Sequence, residues 1–231
     1  MFNTAFCPDA HHLAEEMNGQ TINWMQEIAN KKNSAIAGTL MIRENNNIYN
    51  RLIWISKNGK ISKYDKRHLF SIAKEQKFLS KGNKRLIIEL NGWKICPLIC
   101  YDLRFPVFSR NNINYDVLIY LANWPNKRID AWKTLLKARS LENQCYTIGL
   151  NRVGKDGNKI HFSGHSVVYD VVGKELGTIE LPVGATIGAI IRKNKAKIAH
   201  DDVKLREDDH VILFLTDKNL LNQVQQIFSP S

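Results

Sequence analysis

No apolar run in the 231 residues approaches the roughly 20 that a membrane-spanning helix needs, so an integral membrane protein is not expected. The opening Met1-Phe2-Asn3-Thr4-Ala5-Phe6 lacks the basic start and long apolar stretch of a secretion signal. The expected location is therefore cytoplasmic. Cysteine is sparse: Cys7, Cys96, Cys100 and Cys145 are too few and too irregularly placed for a disulfide framework. With no Cys-x-x-Cys pair, a structural metal site is not expected either. Free thiols are the default in a reducing compartment, and one of them can be reactive. Internal repeats and low-complexity segments are also missing.

What is present reads as a globular chain: 44% hydrophobic and 24% charged, enough for one large domain or two small ones. The 33 basic and 22 acidic residues leave a net charge of +11, which raises the question of an anionic partner. The basic residues are scattered from Lys31-Lys32 to the Lys193–Lys197 stretch, without a stripe of interleaved aromatics. A solvated, lysine-rich surface explains them, and no nucleic-acid partner is expected.

Residues 18–32 have helical spacing, with Asn18 as a possible cap and Ile22, Met25, Ile28 and Ala29 on one face. Short β-branched strands follow at Ser34–Ile42, Asn50–Ile55 and Ile61–Tyr64, with Asn58-Gly59 as a hairpin turn. Leu86–Leu90 and Trp93–Ile99 repeat that device around Asn91-Gly92. Val117–Leu121 reads as a buried strand and Asp130–Asn143 as a helix; Tyr146–Asn151, Ser166–Tyr169 and Glu175–Ile179 complete a layered α/β domain. The last fifty residues offer strands at Ile187–Arg192 and His210–Leu215 and a closing helix from about Asp217 to Phe228, a β-β-α piece with no Pro/Gly/Ser linker before it.

The chemistry concentrates in two stretches. In Pro97-Leu98-Ile99-Cys100-Tyr101-Asp102-Leu103-Arg104-Phe105-Pro106, an apolar strand runs into a cysteine and then a turn. That arrangement exposes a thiol at a strand end, where following backbone N–H groups can hold an oxyanion. Alone, the pattern fits a small buried hydrophobe at least as well. The second stretch is Tyr64-Asp65-Lys66-Arg67-His68-Leu69-Phe70, followed by Glu75. A lysine at a strand end can stabilise an oxyanion and favour a neighbouring thiolate, although most lysines are simply on the surface.

Together these stretches resemble the nitrilase, or carbon–nitrogen hydrolase, superfamily, and most closely its omega-amidase branch. Ala122-Asn123-Trp124-Pro125, Ala138-Arg139-Ser140-Leu141-Glu142-Asn143-Gln144 and Asn151-Arg152-Val153-Gly154 extend the likeness, which runs from Met1 to about Thr178. The resemblance implies an α-β-β-α sandwich that pairs through its helices into a homodimer. It also implies a cofactor-free Glu-Lys-Cys triad acting on small amides. Carried over, Cys100 is the nucleophile, and Lys66 with the backbone N–H of Tyr101 stabilises the tetrahedral intermediate. Glu75 matches a second glutamate that positions Lys66 or substrate. Arg104 is a candidate for a substrate carboxylate or a structural ion pair, and Trp124 for the pocket wall or the core. The family places its triad glutamate in a Pro-Glu-Met-Phe segment, and the sequence opens at the Met-Phe of that segment. The expectation is thus a sandwich lacking its N-terminal strand and helix, through a fragment, a displaced start or a pseudo-enzyme.

From about Glu180 the pattern changes. Leu181–Arg192, Ile198–Asp202 and Glu207–Phe214 resemble the second half of the C-terminal regulatory domain of the Trk potassium-uptake protein. The expected division is a hydrolase-like domain over 1–178 and a partial regulatory segment over 179–231, a join of two incomplete pieces. Three functions follow: an amidohydrolase of small omega-monoamides, a non-catalytic regulatory protein, and a basic nucleic-acid binder with steeply salt-dependent affinity. Smaller expectations are an i,i+3 pair between Arg139 and Glu142, packing roles for His68 and His161, and a solvated turn at His200-Asp201-Asp202.

Overall fold

The computed structural model describes residues 1–179, 185–192, 195–197 and 210–215. Its first sheet is an antiparallel meander of β1 (Ile36–Glu44), β2 (Asn47–Ile55) and β3 (Ile61–Asp65). Asn45 and Asn46 both take positive φ between β1 and β2, at 49° and 62°. This two-residue turn suits the strand twist. The sequence reading ended the first strand at Ile42 and resumed at Asn50; the asparagines extend both strands to meet at the turn.

Side chains alternate across these strands and both faces are buried. Leu40, Ile42, Ile53 and Ile55 pack on Ile22, Met25 and Ala29 of helix α1 (Gln20–Lys31). Ala37, Leu52 and Trp54 point the other way, into a core shared with the second sheet. Helix α1 begins after Gly19 rather than at the expected Asn18 cap. The reason is a carboxylate further back in the chain: Glu15 Oε2 accepts the Thr21 backbone N–H at 2.8 Å, meeting one of the free donors of the first turn.

The second sheet has six strands in the order β11-β10-β7-β6-β5-β4. Here β4 is Ile88–Leu90, β5 Trp93–Ile99, β6 Val117–Ala122, β7 Tyr146–Asn151, β10 Ser166–Tyr169 and β11 Glu175–Ile179. The central β5, β6 and β7 run parallel, and the outer strands pair antiparallel. After a short helix α2 (Pro106–Ser109), helix α3 (Ile129–Asn143) covers the sheet through Trp132 and Leu136. It approaches so closely that a Cβ added at Gly149 would collide with the side chains of Leu136 and Trp132. The layers are therefore helix, sheet, sheet, helix, the α-β-β-α sandwich expected.

The features that the sequence pattern does not show include a 3-10 stretch at Pro8–Leu13 and a hairpin of β8 (Val153–Lys155) and β9 (His161–Ser163). Nearer the C-terminus, β12 (Ala185–Arg192) pairs antiparallel with both β13 (Lys195–Lys197) and β14 (His210–Leu215). These strands agree with the two expected there. The expected closing helix at 217–228 and the His200-Asp201-Asp202 turn lie outside the described residues.

An ion cluster ties the first sheet across its three strands. Buried Arg51 on β2 reaches Asp65 on β3 at 2.6 Å and Glu44 on β1 at 2.9 Å, and Lys63 meets Glu44 at 2.7 Å. Hydrogen bonds from Arg51 and Lys63 hold the Glu44 carboxyl at about 2, below its ordinary 4.5. A depressed carboxyl stabilises the fold above its unfolded value, and that contribution disappears as pH falls through the folded one. Glu44→Gln should therefore cost about 1 kcal/mol at neutral pH, discounted for the partial exposure of Glu44. In denaturant titrations the gap from wild type should close between about pH 4.5 and pH 2. A gap independent of pH would assign it to packing instead.

Candidate active site

Cys100 stands where β5 ends. Ile99 is still extended, whereas Cys100 takes φ of +43°, left-handed and strained for a residue with a Cβ. A 3-10 turn over Cys100–Arg104 follows. The parallel register sets Ile99 beside Leu121 of β6, and Cys100 Sγ faces the Asn123 carbonyl at 3.9 Å.

Asp102, fully buried, holds the elbow in place. One carboxylate oxygen accepts the Ile99 N–H at 3.0 Å and the Tyr64 hydroxyl at 2.7 Å. The other accepts the His68 N–H at 2.9 Å and lies 2.8 Å from His68 Nδ1. The His68 ring stacks on Phe105 with centroids 3.7 Å apart, in agreement with the packing role expected for it. One carboxylate thus joins the cysteine elbow to the segment carrying Lys66. Its place in the cysteine motif was the available signal, but nothing in the sequence showed which donors it would meet.

Lys66 follows directly on β3, and its N–H bonds the Asn50 carbonyl at 3.0 Å. Its ammonium donates to Glu75 Oε2 at 2.7 Å, with both side chains wholly buried. Glu75 Oε2 also accepts the Phe70 N–H at 2.6 Å, and Oε1 accepts Asn50 Nδ2 at 3.1 Å. Both carboxylate oxygens are thus occupied, which suits a group that holds Lys66 better than one that takes a proton. Asn50 was missed in the sequence, where an asparagine in a strand carries no signal of its own.

Cys100, Lys66, Tyr101, Arg104 and Trp124 all line one cavity of about 860 Å³, and Glu75 lies behind its wall. Trp124 is both core and wall: it is 3% exposed, and its indole N–H donates to the Arg128 carbonyl at 2.7 Å. The exposed Arg104 guanidinium lies 5.2 Å from the Trp124 ring centroid. Arg139 pairs with Glu142 as expected, and it also donates to the Leu103 carbonyl at 2.6 Å, fastening α3 to the elbow. His161, expected to pack, is instead exposed, and no role was read for His165, four residues on. His161 lines the cavity, while His165 Nδ1 lies 3.0 Å from Ser163 Oγ. Among the described residues no three His, Cys, Asp or Glu side chains are grouped to hold a metal ion.

Burial pushes the Cys100 thiol up, the Lys66 charge pulls it back down, and Glu75 raises it again. Lys66→Met should therefore shift the pH midpoint of Cys100 alkylation by iodoacetamide upward, followed by mass spectrometry of the Cys100 peptide. An unmoved midpoint would mean that the ammonium does not act on the sulfur.

A strained elbow cysteine and a buried lysine–glutamate pair, opening on one cavity in an α-β-β-α sandwich, describe a thiol-hydrolase type of scaffold. The carbon-nitrogen hydrolase family matches residues 1–182, and the chain belongs to that family. It is 42% identical over 191 residues to "Omega-amidase YafV" of Escherichia coli (strain K12), covering 82% of this chain and 73% of the relative. It is 38% identical over 168 residues to "2-oxoglutaramate amidase" of Bacillus subtilis (strain 168), covering 71% and 64%. Among solved structures, XC1258 from Xanthomonas campestris, a CN-hydrolase superfamily protein with an arsenic adduct in its active site, superimposes with a TM-score of 0.72. Identity there is 35%, over 96% of this chain and 77% of that one.

Proposed function

We propose that the chain is an amidohydrolase that cleaves small omega-monoamides of dicarboxylic or keto acids, such as 2-oxoglutaramate, through a thioester on Cys100. The observation that carries this is the convergence of Cys100 and the Glu75-held ammonium of Lys66 on one cavity. The names of the relatives, an omega-amidase and a 2-oxoglutaramate amidase, support it. The Cys100 sulfur adds to the amide carbonyl, and the oxygen that gains charge is met by Lys66 and by the Tyr101 N–H. Collapse expels the nitrogen as ammonia and leaves the acyl group on sulfur; water then cleaves the thioester and regenerates the thiol. Glu75 positions Lys66, and Arg104 with Trp124 receives the far end of the substrate.

The proton transfers need a base and acid, which the family resemblance assigns to the glutamate of a Pro-Glu-Met-Phe segment. Met1 is buried, and its carbonyl accepts Asn123 Nδ2 at 3.4 Å; the carbonyl of the same Asn123 faces Cys100 Sγ. The decisive assay is ammonia release from 2-oxoglutaramate and succinamate, with Cys100→Ala as control. It is run on the 231-residue chain and on one carrying Pro-Glu before Met1, which tests base and nucleophile together. A folded protein that releases no ammonia in either form would overturn the reading. A cytoplasmic homo-oligomer completes the proposal, on the family's pairing through its helices.

For the C-terminal segment we propose a second role, regulatory contact of the Trk type, over residues 179–231. The observation behind it is that the family match stops at 182, while β12 and β14 also lie against β7 and β1 of the hydrolase sheets. Nucleotide-dependent thermal stabilisation would support that role, and its absence with ATP, NAD and NADH would remove it.

A further inference from the structure

Five cationic side chains, those of Lys66, Arg104, Lys127, Arg128 and Lys159, line the cavity against one carboxylate, that of Asp156. Lys66 is neutralised by Glu75 behind the wall, and Asp156 Oδ1 is occupied by the N–H groups of Asn158 and Ile160 at 3.0 and 2.9 Å. The remaining positive charge faces the cavity. Two of its bearers are guanidiniums seated on aromatic rings: Arg104 on Trp124 at 5.2 Å and Arg128 on Phe70 at 5.3 Å. Among the described residues neither is in an ion pair with a carboxylate. An aromatic seat fixes a planar guanidinium while leaving its N–H edge free for a planar anion.

The two seats are coupled. Trp124 carries Arg104 on its face and donates its indole N–H to the carbonyl of Arg128. Phe70, under Arg128, leans on Tyr101 with centroids 4.9 Å apart and gives its N–H to Glu75. Arg128 is therefore tied to both the oxyanion residue and the lysine pair, although it stands 28 positions after Cys100 in sequence.

We infer that Arg128 is a specificity-determining residue that, with Arg104, clamps the carboxylate at the far end of the substrate, so that the site selects anionic amides over neutral ones. The inference rests on the amidase reading and names the part of the site that makes it an omega-amidase in particular. Losing one charge-assisted guanidinium–carboxylate contact should weaken carboxylate binding on the order of 10- to 100-fold.

The test compares wild type with Arg128→Met, Arg128→Lys and Arg104→Met in two measurements. The first is the ratio of kcat/KM for succinamate to that for butyramide, which replaces the carboxylate with a methyl group. The second is calorimetric binding of succinate, which needs no turnover. The expected result is a fall of 10- to 100-fold in the ratio and in succinate affinity for Arg128→Met, partly restored by Arg128→Lys, with Arg104→Met falling as well. Wild-type succinate affinity should also weaken with added salt. Weakened succinate binding in Arg128→Met, with no turnover by the chain either with or without Pro-Glu before Met1, would keep the clamp and remove the amidase reading. Turnover with ratio and binding both unmoved in Arg128→Met would keep the amidase and overturn the clamp. Wild type that binds no succinate would also overturn it.

Discussion

Cys100→Ala should remove ammonia release from both omega-monoamides, a fall in kcat on the order of 10⁴-fold or more. The size follows from the lack of an understudy. Cys96 and Cys145 are buried, with thiols pushed up to about 12, and neither lines the cavity. Cys7 lies outside the cavity lining as well, bonded to Asp9. Lys66, which does line it, is held by Glu75. The fold should survive, because the change removes one sulfur from a partly exposed position and leaves the Asp102 hydrogen bonds untouched. The left-handed backbone there is strained for alanine too, so Cys100→Gly should be at least as stable as Cys100→Ala while equally inactive. Chemical denaturation beside the ammonia assay separates the two effects. Retention of even one-hundredth of wild-type turnover by Cys100→Ala would move the nucleophile elsewhere.

The elements that sequence placed well are those whose signals are local. β5, β7, β10 and β11 begin and end where the β-branched runs and turn residues put them, and Asn91-Gly92 turns with both residues at positive φ. The ends that drifted are governed by distant partners: α1 starts at Gln20 because Glu15 reaches its first turn. The same division holds at the site. Cys100 and Lys66 were legible because each sits in a short motif at a strand end. Asn50, Asp102 and Arg128 gain their roles only when the two sheets and the 124–128 segment converge, and no spacing in the chain encodes that. Lysine 66 illustrates the limit from the other side. Read alone it is one of many surface lysines, and its complete burial follows from a glutamate nine residues later that shares a wall with Asn50.

That pair supplies the second large effect. Glu75→Gln should cost about 3–5 kcal/mol of stability, because it leaves the buried Lys66 ammonium without its anion. It should also lower kcat by about 10²- to 10³-fold, as expected when a group that stabilises the oxyanion loses its placement. Activity alone would not separate chemistry from a weakened fold, whereas the double change Lys66→Met with Glu75→Gln does. It removes both charges and keeps an amide oxygen to accept the Phe70 N–H. The new amide N–H₂ can turn to Asn50 Oδ1, a buried acceptor with no partner in the wild-type structure. Stability should then return to within about 1–2 kcal/mol of wild type, since a buried ion pair replaced as a unit is often nearly neutral. Activity should stay at or below that of the single variant, because the cation that meets the developing oxyanion is gone. Urea midpoints and ammonia release on the same preparations provide both readings. A double variant no more stable than Glu75→Gln would show that the pair is held by packing rather than by charge, and regained activity would remove Lys66 from the chemistry.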